Sequence, residues 1–271
     1  MKKFKLLIIA IGVFLFSVSV FGADFEIKEN TLIKYTGREA SVIIPENVTK
    51  IGKEAFMGNQ TIKSVKGSKN LTVIDEKAFL DCINLEEIDF PGIKSIEEEA
   101  FSNCGIRKIS FSNSLKEVDD FAFAECASLT EISFSDNTKE IDRGAFMNCV
   151  SLKKAKLPNF LPEIEKFTFY GCSSLEKINM PRSLKKINEG AFFGCKGLTK
   201  IDFPKNLRGI DSQAFAYCTG LKEITIYHNT IDVAITSFAK CDKKLTVWCE
   251  EGSDADKMAY ANGYRSKYFK D

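Results

Sequence analysis

Nine phenylalanines, each preceded by Ala, Ser or Thr, stand at Phe56, Phe79, Phe101, Phe123, Phe146, Phe169, Phe192, Phe215 and Phe238, at steps of 22 or 23 residues. A period in this range predicts a solenoid, in which no unit buries its apolar side chains alone and stacked neighbours share one continuous core. Such a body is a single elongated domain at any length, so 271 residues need not divide into two. A repeat by itself performs no chemistry, and the surface of a stack is suited to binding something large.

The unit is clearest from Leu198 to Cys218 (LTKIDFPKNLRGIDSQAFAYC). Leu198, Ile201 and Phe203 alternate with polar residues, as in a half-buried strand, and Pro204 ends the run. Leu207 and Ile210 form a second short apolar pair, after which the small residue, the Phe and the Cys make a turn into the next coil. The same frame fits Leu85 to Cys104 and Leu175 to Cys195. Each 22-residue step lacks one residue, between Phe90 and Ile93 and between Cys104 and Ile106, where the frame places turns.

Lys2, Lys3 and Lys5 followed by the apolar run Leu6 to Phe21 predict a secretory signal peptide, residues 1–22, cut after Gly22. The rival reading is an uncleaved membrane anchor, but the run is shorter than the ~20 residues that comfortably span a bilayer, and with no second segment of ~18 apolar residues no membrane span is expected in the mature chain. Removing those three lysines leaves 35 basic against 37 acidic residues, a balance that gives no electrostatic reason to expect nucleic acid as a partner.

These residues carry a resemblance. The recurring L-x-x-I-x-x-P and L-x-x-I-x-x-x-A-F-x-x-C segments resemble the BspA-like class of leucine-rich repeats over roughly residues 25 to 269. The resemblance implies a β-rich leucine-rich repeat solenoid of short strands and short helical turns, with the repeats at 48–249. Residues 23–47 resemble the family's N-terminal hairpin cap, and residues 250–271 its closing helix and strand. Caps also follow from physics, since an open end of the stack exposes strand edges and core residues. Ser253 or Asp254 is placed to start a short helix carrying Ala255, Met258 and Ala259 inward, and Gly263 to end it.

Eight of the nine cysteines (Cys82, Cys104, Cys126, Cys149, Cys172, Cys195, Cys218 and Cys241) stand three residues after a ladder Phe, with Asn59 in that place in the first coil. Cys and Asn are alternatives at this buried turn position in leucine-rich repeats, so free thiols are expected, with disulfides as the rival reading. Cys249, off the ladder, is expected to be the exposed or reactive thiol. No CxxC pair supports a metal, and no cofactor motif occurs. His228, the sole histidine, has no Ser or Cys tied to it by spacing, so the chain is expected not to be an enzyme. The column Asp75, Glu97, Asp119, Asp142, Glu165, Asn188 and Asp211 reads as caps for the turns that follow, or else as an acidic ladder for a cation or basic partner.

Two surfaces remain as candidate binding sites. One is the outward strand face, where Lys153, Lys154 and Lys156 cluster. The other is a ridge of larger side chains beside the Phe ladder, with Met57, Leu80, Met147, Tyr170 and Phe193, to which Phe121 and Phe167 add aromatic area across Gly144. If exposed, the ridge is an apolar partner site; if buried, it is packing between coils. The family resemblance implies a secreted or cell-surface protein adhering to an extracellular ligand, such as a host matrix or cell-surface protein. A periplasmic or envelope scaffold binding another bacterial protein is the alternative.

Overall fold

The computed structural model describes residues 24–227 and 231–269, so the expected signal peptide and His228 lie outside the described residues. The chain winds into a β-solenoid of about ten turns. Each coil contributes a short strand to one column and a still shorter one to a second. The longer-strand column runs from Ser41–Ile43 to Arg265–Tyr268, and the shorter from the hairpin Phe25–Lys28 and Thr31–Tyr35 to Asp232–Val233. Between coils every pairing is parallel with like residues opposed, as in Ile109, Ile132, Ala155 and Ile178. Both one-residue gaps fall in irregular segments, at Pro91–Gly92 and at Asn103–Ile106.

The ladder Phe rings form the spine of the core. From Phe56 to Phe238 successive centroids lie 4.7 to 5.7 Å apart with planes within 13° of parallel, and all nine rings are buried. Tyr35 of the N-terminal hairpin continues the stack against Phe56 at 5.0 Å. The small residue before each Phe is needed because its backbone carbonyl must meet the neighbouring coil: Phe79 N–H donates to Ala100 O at 2.8 Å and Phe101 N–H to Ala122 O at 2.8 Å.

The turn around each Phe alternates its hydrogen bonds. In the second coil the N–H groups of Ala78, Leu80 and Cys82 donate to carbonyls three residues back, while those of Lys77, Phe79 and Asp81 donate to the next coil. Left-handed residues make this alternation, with Lys77 at φ 56° and Asp81 at φ 61°, so the segment is a chain of turns in place of the short helical turn expected.

Each ladder thiol finishes the pattern by donating to the carbonyl of the Phe one coil back, from Cys82 Sγ to Phe56 O at 3.1 Å through Cys241 Sγ to Phe215 O at 3.3 Å. At the end of the stack, Tyr264 Oη occupies the role of the next thiol, donating to Phe238 O at 2.6 Å. Tyr264 follows the cap helix Asp254–Asn262, which Ser253 caps by accepting from Asp256 N–H and which Gly263 ends in the left-handed region at φ 69°. Its buried side chains are Ala255, Met258 and Ala259.

All nine cysteines are free and buried. Cys249 therefore corrects the expectation of an exposed thiol: it alternates with Val247 along the strand Thr246–Cys249, and both face inward with no exposed surface. Burial pushes its thiol up to about 11, and those of Cys126 and Cys241 up to about 12, which suppresses the thiolate that reacts. A maleimide reagent should accordingly label none of the thiols in the folded protein and all nine after non-reducing denaturation. Thiols still blocked in denaturant and released only by a reductant would show disulfides instead.

Candidate functional site

Phe167, Tyr170 and Phe193 come together on the turn side of the solenoid. Tyr170 stacks on Phe193 at 4.7 Å with planes 8° apart, and Phe167 meets Tyr170 edge-on at 5.9 Å. Tyr217, absent from the sequence reading, extends the row against Phe193 at 5.0 Å and is 45% exposed. The other three rings are half-buried, so the ridge both packs between coils and presents aromatic surface. Phe121 stands apart, with the Arg143 guanidinium 4.9 Å above its ring.

Two columns of each turn lie in the left-handed region, and most coils place Glu, Lys, Gln, Asp, Asn or Gly there. Phe121, Phe167 and Tyr217 adopt φ of 55°, 60° and 60°. Bulky side chains seldom occupy this region, at a cost of roughly 1–2 kcal/mol per residue. Neighbouring coils use Gly144 and Gly190 in the column of Phe121 and Phe167, and Gly194 in that of Tyr217. The glycines also make room: a Cβ on Gly144 would sit 2.3 Å from the Phe121 ring, and one on Gly190 would sit 2.7 Å from that of Phe167. What sets Phe167 and Tyr217 apart from the polar residues that adopt the same conformation in other coils is the partly exposed ring.

On the opposite kind of face, Lys153, Lys154 and Lys156 are all exposed. The strand Lys154–Lys156 pairs in register with Lys177–Ile178, setting Lys154 beside Lys177. The lysine cluster and the aromatic row are thus separate surfaces carried by different parts of the same coils.

The acidic column is mainly a structural feature. Its residues supply the carbonyls that close the turns, as when Ala78 N–H donates to Asp75 O, whereas the Asp75 and Asp119 carboxylates reach only the next N–H. Asp75 and Asp211 also pair with Lys50 and Lys186, at 2.7 and 2.9 Å. Side-chain capping of the expected kind is therefore limited to the bond to the next N–H, seen at Asp75 and Asp119. Oxygens of Asp119, Asp120 and Asp142 lie within 4.8 Å of one another. Burial, then the charges of Asp119 and Asp120, raise Asp142 from 3.8 to about 6. A carboxyl so raised adds stability fully present below 3.8 and lost as pH rises through about 6. Asp142→Asn should therefore stabilise the protein at pH 7, by about 1 kcal/mol after solvent screening of this half-exposed group, with the gain vanishing near pH 4. Urea midpoints at the two pH values measure it, and an equal effect at both would refute the charge argument.

Residues 26–149 and 139–263 match the BspA type leucine rich repeat region, in 6 copies. The chain belongs to the BspA-type leucine-rich repeat family. Solved relatives agree with the fold. A leucine rich repeat protein from T. pallidum is 28% identical with a TM-score of 0.59, over 62% of this chain and 82% of that one. A leucine-rich repeat protein from Bacteroides ovatus is 26% identical with a TM-score of 0.63, over 81% of this chain and 65% of that one, so the match spans just under two thirds of the Bacteroides protein. No curated protein matches the chain. A BspA-type solenoid of this kind is a protein-interaction module, and no helix among the described residues is long and apolar enough to cross a membrane.

Proposed function

We propose that this protein is a secreted or surface-exposed, non-enzymatic binding module that adheres to an extracellular protein of a host, through the aromatic row Phe167, Tyr170, Phe193 and Tyr217. The observation that carries this reading is the contiguous row of partly exposed aromatic rings, with Tyr170 stacked on Phe193 and with Phe167 and Tyr217 placed where most other coils carry a polar residue or glycine. Aromatic side chains offer large rigid contact area at low entropic cost, which is why they dominate binding hot spots. The apolar and charged leader and the family membership support export.

The same backbone feature supplies a clean test. Phe167→Gly and Tyr217→Gly replace a strained residue with the one that neighbouring coils use, so the fold should be retained while the binding surface is lost. The protein without its leader would be passed over immobilised fibronectin, fibrinogen, laminin and collagen. Single molecules should bind at least one of these with a Kd of about micromolar. The double variant should weaken that binding at least tenfold, or about 1.4 kcal/mol. Unchanged binding by a folded double variant would remove the row from the site. Binding to none of these proteins would favour the envelope scaffold.

A further inference from the structure

One outward column of the longer strands alternates in charge over four coils, from Glu87 through Lys108 and Glu131 to Lys154, and strand pairing sets Lys108 opposite Glu131 and Glu131 opposite Lys154. The alternation then stops. Lys177 lies opposite Lys154 in register, and Lys200 stands one 23-residue period further on, before Glu223 returns a carboxylate to the column opposite Lys200. At the ~4.8 Å spacing of neighbouring strands, the three lysines leave the sheet within roughly 10 Å of one another. Lys156, two residues along the strand from Lys154, is exposed on the same face, and Lys153 is exposed beside them.

Elsewhere on this face a cation is neutralised by the coil beside it, Lys66 by Asp89 at 3.5 Å and Arg107 by Glu86 at 3.2 Å. Among the described residues Lys153, Lys154, Lys156 and Lys177 form no ion pair, while Lys200 pairs with Asp202 of its own strand at 3.2 Å. An open depression of about 540 Å³ lies over these strands, and Lys154, Lys156, Lys177 and Lys200 line it against Glu131 and Glu176. Four cations against two carboxylates leave it positive, on a chain whose formal net charge is only +1. The rest of the lining decides which anion fits. Among the described residues no aromatic side chain and no arginine borders the depression. Those residues dominate protein hot spots, and arginine is the one that grips carboxylates with two parallel bonds. Lysine is a point charge on a flexible stem, suited to anions presented in several orientations along a chain.

We propose that this lysine column binds a sulfated polysaccharide. Sulfates on successive sugars meet Lys154, Lys177 and Lys200 as the polymer runs along the stack, Lys153 and Lys156 take groups on its flank, and the exposed Thr199 hydroxyl faces the sugar hydroxyls. Attraction of this kind draws much of its free energy from release of the polyanion's counterions, so it weakens steeply with salt. Sulfated polysaccharides lie outside cells, so the biological use of the site rests on the reading of the chain as exported, whereas the binding itself does not. No residue of the aromatic row lines the depression, and the two sites are separate.

The test uses fluorescence anisotropy of the whole mature chain with a labelled heparin octasaccharide. Its desulfated form, a polyglutamate peptide and phosphatidylserine vesicles serve as competitors. The octasaccharide should bind at about 50 mM salt and lose about tenfold or more in affinity at about 200 mM. Lys154→Gln with Lys177→Gln should weaken binding about tenfold. Lys177→Glu, which restores the alternation of the earlier coils, should abolish binding without loss of thermal stability. Lys116→Gln with Lys139→Gln removes the same charge from exposed positions beside the shorter strands and should leave binding unchanged. Equal weakening by the two double variants would overturn the site in favour of diffuse attraction, and failure of the octasaccharide to bind would overturn it outright. Competition by the desulfated sugar as strong as by the unlabelled octasaccharide would refute the role of sulfate. Stronger competition by polyglutamate would reassign the column to an acidic protein, and by the vesicles to a membrane surface. Phe167→Gly with Tyr217→Gly should leave octasaccharide binding intact, so loss of matrix-protein binding alone counts against the aromatic row and not against the lysine column.

Discussion

Truncating Phe146 to Ala should lower the free energy of unfolding by about 3 to 5 kcal/mol, as deletion of a core aromatic ring does. The ring is wholly buried, with Phe123 and Phe169 stacked on its two faces at 5.5 and 5.7 Å and Phe134 edge-on at 5.9 Å. Its removal leaves a cavity bounded by three coils, and each lost aromatic contact adds about 0.5–1.5 kcal/mol beyond the area term. Because repeat arrays transmit stability only between neighbours, the damage should appear first as local opening at mid-stack. Urea denaturation together with amide exchange measures both effects. A loss below ~1 kcal/mol would mean that the ring faces solvent.

Deleting the C-terminal cap, residues 251–269, should be at least as severe. Burial of Met258 and Tyr264 alone stabilises the native state by roughly 1.5–3 kcal/mol each. The deletion also strips the strand Thr246–Cys249 of its parallel partner Arg265–Tyr268, leaving an open edge beside Val247 and Cys249. We expect aggregation on expression, or a folded monomer weakened by about 4 kcal/mol or more. A soluble monomer with an unchanged urea midpoint would show that the last coil is self-sufficient.

The regular part of this architecture was legible because every coil repeats the same demand at the same place. Ladder Phe, inward Ile and buried Cys declare themselves by period, and the two short steps fall in turns as their positions require. Cys249 was misread because it lies off that period. Its own alternation with Val247 in TVWC was the better signal, since a strand sends both to one face.

The candidate surfaces were less legible. Phe167, Tyr170 and Phe193 could be gathered from their offsets to the ladder, but Tyr217 lies two residues past Phe215, where other coils carry Gly, Asn, Asp, Glu or Lys. A tyrosine in that column was visible in principle as a bulky residue at a left-handed position. The break in the shorter-strand sheet after Glu140–Ile141 has a sequence signal too. Pro162 lacks the N–H that Lys139 uses to reach Lys116 O and Lys185 to reach Pro162 O.

The bond from each Cys thiol to the Phe carbonyl one coil back has a consequence for how such chains change length. No joint refers to its place in the stack: the donor, acceptor and register at Cys149 are those at Cys218. Tyr35 receives the ring stack at one end and Tyr264 closes the thiol row at the other. In-frame duplication of one 23-residue unit, such as residues 147–169, would reproduce both of its joints and leave the two terminal tyrosines untouched. An insertion of half that length would set strand residues over turn residues and break every joint it met. Reach is therefore a variable that this lineage can alter in whole coils, by unequal crossing-over alone, without redesigning a single contact.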